Sequence, residues 1–488
     1  MNFASLPDRR AESAPDGPAV SDGRQSLTNA QLLIRVRAAA RHLQDLGIGS
    51  GDVVALKLRN RVEFVVLLFA CWRLGAAATP VNPSLTDVEV ARQLQDSGAS
   101  LLVAVNSATA TGVATLAVDE LSREAAGAGP APKPDSSGLA LLIYTSGTTG
   151  TPKGVMLDHS NIDAMAAMGC RALELGPADR CLLVLPLFHV NAIVVSVLIP
   201  LLVGAGVAIT DRFDARTFFG LVERERPTYF SAVPTIYSML EALPADVRPD
   251  TSSLRYGCCG AAPASAELLT RFEARYGFPV LEGYGLSEGT CFSTANPVTG
   301  PRRAGSVGLP VPGQELRIVD ERGIEVPPGT DGEVIVRGPN VMRGYLGRPE
   351  ETAKTIVDGW LHTGDVGHLD EDGFLFLGGR SKDMIIRGGE NIYPKEIEDV
   401  LMAAPSVLEA AVIGVPDDTW GEVVVAYVQP RPGVTVDPGA LESLTARHLS
   451  GYKRPTSYVV VDAIPKNAVG KIDKLALRAA HATASSRS

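Results

Sequence analysis

A layered α/β protein with more than one domain is the fold this sequence predicts, and three observations carry the expectation. Apolar strand-like runs alternate with helical periodicity over residues 53–58, 62–74 and 76–80, and runs at 101–105 and 139–143 continue the rhythm. After Gly300 the texture changes to short alternating strands with glycine turns at 315–319, 332–337 and 374–377, which predicts a small β-rich subdomain. The length, 488 residues, exceeds the roughly 250 to 300 at which a single core stops growing. Beyond Gly379 a compact α+β pattern ends in a basic segment at 466–474. Residues 125–137, rich in Gly, Ala and Pro, read as a surface linker, and there is no internal repeat.

Bulk properties exclude several classes of function. A net charge of −10 opposes nucleic acid or an anionic membrane as the main partner, since either requires a basic face. The six cysteines (Cys71, Cys170, Cys181, Cys258, Cys259 and Cys291) follow no metal-ligand spacing and read as free thiols in a reducing cytosol. Residues 1–21 lack an apolar signal core, so a cytoplasmic location without export is expected. The uncharged run at 192–209 is interrupted by Pro200 and weakened by Gly204 and Gly206, which predicts a buried helix, a turn and a core strand rather than a membrane span.

The apolar run 139–143 empties into YTSGTTGTPKGV at 144–155, a loop crowded with hydroxyls, glycines and one lysine. Gly147, Gly150 and Gly154 let the backbone approach an anion, Ser146, Thr148, Thr149 and Thr151 offer short donors, and Lys153 adds positive charge. No Gly-Lys-Ser/Thr closes the loop, so its spacing is not that of the Walker motif. ATP is the expected guest.

Three further motifs follow in order. In EGYGLSE at 282–288, Tyr284 can lie against a purine face and Glu288 can hold Mg²⁺, a hard cation that favours carboxylate and phosphate oxygens. In LHTGD at 361–365, Asp365 is suited to accept hydrogen bonds from both ribose hydroxyls, and GRSKD at 379–383 brings Arg380 and Lys382. Gly388 and Gly389 permit a close backbone approach, and PKNAVGKI at 465–472 supplies a late lysine, Lys471.

Together these motifs closely resemble the signature of the adenylate-forming acyl- and aryl-CoA synthetases, and the resemblance runs from the Leu74-Gly-Ala segment to Lys471. It implies a large N-terminal adenylation domain at 1–381, layered α/β with a small β-barrel-like subdomain near 300–380. A small mobile α+β C-terminal domain at 382–488 would turn on a hinge at Lys382. The family pattern usually has Thr where this chain has Ser287, which keeps the hydroxyl.

By the same resemblance, nucleotide contacts fall to Thr145, Ser146, Gly147, Thr149, Gly150, Lys153, Gly260, Ala261, Ala262, Glu282, Gly283, Tyr284, Gly285, Ser287, Asp365 and Arg380. Thr148 and Glu288 would hold Mg²⁺, and Lys471 would reach the forming acyl-phosphate linkage. Gly388 and Gly389 would flank the pantetheine of CoA, with Trp420 either at its nucleotide or in domain packing. The acid pocket would be lined by His189, Val190, Asn191, Ser231, Val233, Cys258, Gly285 and Cys291. His189 is expected as an aromatic wall or gate rather than a general base, because adenylation starts from an ionised carboxylate.

Malonate-specific relatives carry an arginine in the helix after the Val-Pro-Thr motif, where this chain is read as placing Met239, so a second carboxylate would lack its counter-charge. The implied reaction joins a carboxylic acid, ATP and CoA into acyl-CoA, AMP and pyrophosphate. The adenylation motifs alone leave open transfer to an acyl-carrier protein, or ATP-dependent nitrite activation of the diazotase type.

Overall fold

A computed structural model describes the chain except residues 1–2, 107–111, 125–128, 134–136, 146–151, 263, 389, 418, 468–470 and 486–488. It is mixed α/β, with a large N-terminal domain and a small C-terminal one.

Among the described residues, two sheets form the large domain's layers. In the first, Val280–Tyr284, Tyr256–Cys259, Tyr229–Ala232, Arg180–Leu183, Gly206–Ile209 and Pro18–Ser21 run parallel, side by side in that order. In the second, Leu139–Thr145, Ala77–Pro80, Val53–Lys57, Leu101–Ala104 and Ala114–Ala117 are parallel neighbours, and Lys153–Asp158 pairs antiparallel with Leu139–Thr145. Parallel strands covered on both faces are mostly apolar, as the fully buried Leu101–Ala104 is throughout, and in Ala77–Pro80 the one hydroxyl, Thr79, donates to Leu142 O at 2.9 Å.

The helix Val62–Leu74 is buried at every position, which accounts for its apolar residues on all sides, and Gly75 ends it in the left-handed conformation. Its Trp72 packs edge-on to Phe69 and donates from the indole N–H to Ala140 O at 2.8 Å. That bond ties the helix to the strand that leads into the hydroxyl-rich loop.

The run 192–209 is helical through Leu202 and ends in the core strand Gly206–Ile209. Pro200, expected to interrupt the helix, lies inside it. The turn Val194–Leu198 widens to a π-helix in which the Ile199 N–H reaches Val194 O, and this absorbs the lost i→i−4 bond. Among the described residues no helix is long and apolar enough to cross a membrane.

A third sheet, antiparallel, joins Glu315–Val319, Gly332–Arg337, Trp360–Leu369 and Leu375–Arg380. A fourth, with Ile385–Arg387, Glu390–Ile392, Val407–Asp417, Gly421–Pro430 and Ser457–Val460, packs its own core of Ile397, Val412 and Val424 in the small domain.

Candidate active site

The strands place the candidate residues where parallel sheets bind ligands, at their carboxyl ends. Val280–Tyr284 delivers Glu282, Gly283 and Tyr284, and Tyr256–Cys259 delivers Cys258 and the turn of Gly260, Ala261 and Ala262. Ala261 holds a positive φ of 66° without being glycine, a strained conformation of the kind that concentrates at functional sites.

Asp365 stands at the centre of one group. Tyr284 donates its hydroxyl to Asp365 Oδ2 at 2.6 Å, and Arg380 Nε lies 2.9 Å from Oδ1 across paired strands. Asp365 is buried, and it raises the pKa of Arg380, so the guanidinium stays charged. The Tyr284 ring is 8% exposed and packed with Leu361 and Leu375, so it offers less open face for a purine than the sequence suggested.

Glu288 belongs to a second group, on the short helical turn Ser287–Gly289. Tyr345 donates its hydroxyl to Glu288 Oε1 at 2.9 Å, and Lys153 lies 5.1 Å from the centre of the Tyr345 ring while pairing with Glu351. Thr145 pairs with Lys153 across the hairpin. Ser146, Gly147, Thr148, Thr149 and Gly150 lie outside the described residues, as does Gly389. Among the described residues no three His, Cys, Asp or Glu side chains converge as a metal site. A carboxylate such as that of Glu288 is the donor type that Mg²⁺ takes beside phosphate and water.

Lys471 joins both groups from the small domain. Lys466 and Ile472 bridge, Asn467 N donates to Lys471 O at 2.8 Å, and Lys471 N donates to Asn467 Oδ1 at 3.0 Å, so the lysine is tied back to Asn467. Its side chain remains accessible in the cleft, yet the surrounding protein lowers its pKa by desolvation first and by Arg380 next, against the pull of Asp365 and Glu288. Lys382 is shifted down as well, by desolvation and then by Arg380.

Lys471 also acts on a residue expected to line the acid pocket. Desolvation, and to a lesser extent the charge of Lys471, lowers His189 to a pKa of about 4, so the imidazole is neutral near pH 7. Its ring lies 4.4 Å from that of Phe188, at the start of the helix Val190–Ile193. Ser231 donates to Asn191 Oδ1 at 2.9 Å, and Asn191 also interacts with the Cys291 thiol. Burial raises the thiols of Cys258 and Cys291. Val233 is half-buried beside them.

Gly285 lies against the backbone of Cys291 and Phe292, where a methyl group would overlap it. Thr290 and Cys291 hold positive φ values of 60° and 141° there. Met239 is 45% exposed on its helix, whose Tyr237 and Ser238 are buried.

Glu282, expected among the nucleotide contacts, is buried beside the small domain. Its buried side chain accepts from Ala264 N at 3.3 Å and senses Lys395 and Asp399 of the small domain rather than the Asp365 group. Desolvation pushes it from 4.5 up to about 7. The folded chain therefore holds a proton here that the unfolded chain gives up, and the resulting destabilisation grows as pH rises from 4.5 to 7. Glu282→Gln is expected to raise the thermal midpoint near pH 8, worth up to about 3 kcal/mol, and to change little near pH 4. Equal shifts at both pH values would contradict a buried, protonated carboxyl.

The remaining candidates lie apart. A cavity of about 310 Å³ is lined wholly by small-domain residues, among them Arg387, Gly388, Trp420 and Tyr452. Gly388 holds φ +60°, and a methyl there would come within 3.0 Å of the Trp420 indole. The Arg387 guanidinium stacks on that indole at 5.7 Å. Tyr345 and Glu351 went unnoticed in the sequence because neither belongs to a motif; strand pairing of Gly344–Tyr345 with Lys153–Asp158 brings them in.

The chain matches the family model described as AMP-binding enzyme over residues 7–346, and its C-terminal domain model over 396–471. A feruloyl-CoA synthase of Amycolatopsis sp is 40% identical over 484 residues, covering 97% of this chain and 98% of the relative. ATP-bound MatB from Rhodopseudomonas palustris aligns with a TM-score of 0.90 at 32% identity and 99% of both chains, against 0.79 for the apo form of the same protein. The o-succinylbenzoate CoA synthetase of Bacillus subtilis, in complex with the acyl-adenylate intermediate, aligns at 0.87 with 33% identity and 97% of both chains. The motifs, the two-domain architecture and these relatives together show that the chain belongs to the AMP-binding enzyme family and is an acyl- or aryl-CoA synthetase, an AMP-forming acid–thiol ligase.

Proposed function

We propose that this ligase activates a monocarboxylic acid, small and aromatic or short to medium aliphatic. The observation that supports this choice most is the pocket wall. Asn191, Ser231, Val233, Cys258 and Cys291 carry no charge, and His189 is held neutral, so a second carboxylate would be desolvated without a counter-ion.

In the first step the acid's carboxylate attacks the α-phosphorus of ATP and pyrophosphate leaves. Lys471 and Arg380 stabilise the charge that develops, Asp365 accepts from the ribose, and Glu288 with Thr148 would hold Mg²⁺. When bound, that ion neutralises phosphate charge and orients the leaving group.

In the second step the CoA thiol attacks the acyl carbonyl and AMP departs. The cavity at Gly388 and Trp420 is the CoA site we infer. Its lining excludes every large-domain residue, which supports a turn of the small domain, residues 382–488, about Lys382 between the steps. The free state of all six cysteines supports a cytoplasmic, reducing setting.

The test is a comparison of acids with Mg-ATP and CoA. Malonate is expected to show kcat/KM at least about tenfold below the best monocarboxylate, a gap of about 1.4 kcal/mol. Equal turnover of malonate would refute the assignment.

A further inference from the structure

One helix of the large domain, Pro234–Glu241, is gripped by the small domain at both ends. At its first turn Lys466 Nζ lies 3.3 Å from Thr235 Oγ1, donating to it, and 3.1 Å from Glu409 Oε1 in its own domain. At its last residue Glu241 Oε2 accepts Arg431 Nη1 at 3.1 Å, while Arg271 Nε of the large domain lies 3.4 Å from the other oxygen.

Arg431 and Glu241 are each only 18% exposed, so this pair escapes much of the screening that empties surface ion pairs. Around it the domains do not interlock. A cavity of about 430 Å³ lies between Ala242 and Arg271 on one side and Pro405, Pro432 and Val434 on the other. Along this edge charge spans a gap that apolar packing does not fill.

The helix also belongs to the acid pocket. Val233 caps it, Ser231 lies on the strand before it, and Tyr237 donates to Cys258 O at 2.8 Å. Lys466 stands on the same bridged turn as Lys471. Thr235 and Glu241 are six residues apart, about 9 Å along a helix, so two grips define an axis where one would leave a pivot.

We propose that Arg431–Glu241 and Lys466–Thr235 form a two-point clasp on Pro234–Glu241 that positions Lys471 for adenylation and opens for thiolysis. These are positioning residues, and the inference rests on the role given above to Lys471. The clasp selects one arrangement of the domains, so its loss affects one half-reaction and spares the other.

The experiment measures two half-reactions on the full-length enzyme: pyrophosphate release without CoA, and thioester formation from supplied acyl adenylate. Arg431→Glu is expected to slow the first about tenfold and change the second by less than about twofold. Arg431→Lys retains the charge and should stay within about threefold of the parent in both. Adding Glu241→Gln to Arg431→Glu removes the repulsion and leaves the introduced carboxylate facing Arg271, so adenylation should recover. Lys466→Met should act in the same direction as Arg431→Glu.

Equal losses in both half-reactions, or an unchanged first half-reaction in Arg431→Glu while Lys471→Ala abolishes it, would overturn the clasp. Adenylation that survives Lys471→Ala would show instead that the role of Lys471 is wrong, and the clasp would fall with it.

Discussion

Replacing Lys471 with alanine is expected to slow adenylation by about 10² or more while leaving thiolysis of supplied acyl adenylate largely intact. The asymmetry comes from where the side chain stands. In this arrangement the charge of Lys471 acts on Arg380, Asp365 and Glu288 across the domain boundary and also on His189, so it stands between the residues proposed for the nucleotide and those proposed for the acid. A cation about 4 Å from an anion gains about 1 kcal/mol in water and about 4 kcal/mol at an effective dielectric of about 20. The cavity at Gly388 and Trp420, proposed above as the CoA site, is not lined by Lys471. Rapid-quench rates of pyrophosphate release and of thioester formation would check the split, and equal losses in the two would exclude the role.

Gly285→Ala should be nearly as damaging, for a different reason. Nothing flexible surrounds this position. The added methyl would overlap the Cys291 carbonyl and Phe292 Cα, and the neighbouring backbone is already committed to positive φ at Thr290 and Cys291. The backbone bonds Cys291 N to Leu286 O and Thr290 N to Ser287 O hold that turn, with Glu288 on it. Relief of the overlap must therefore move Glu288, the acid pocket, or both. The expected cost is about 1 to 3 kcal/mol in stability, with a fall of about 10² in kcat/KM for adenylation. Thermal melting and pyrophosphate kinetics on the same preparation separate the two effects. A variant that melts and turns over like the parent would show that the turn yields.

Much of the site was legible in the sequence because its motifs are short and local. The turn at 282–288, Asp365, Arg380 and Lys471 could be singled out from residue type and order alone, and the structure brings them into one cleft. What the sequence did not reveal depends on distant pairing. Tyr345 reaches Glu288 from 57 residues away, and Arg431 reaches Glu241 from 190 residues away, so neither leaves a local pattern. Glu282 illustrates a different limit, since a carboxylate inside a motif reads as a ligand contact until its burial against Ala264 is known. Pro200 rests on geometry that only the third dimension supplies, a π-turn that keeps a proline inside a helix.

The most direct test of the central claim is the product mass formed from Mg-ATP and the best monocarboxylate, with and without CoA. Adenylation followed by transfer predicts AMP and acyl-CoA in equal amounts when CoA is present, and pyrophosphate with an enzyme-held acyl adenylate when it is absent. Pyrophosphate release without any thioester, at saturating CoA, would contradict CoA as the acceptor and point to a carrier protein or another nucleophile.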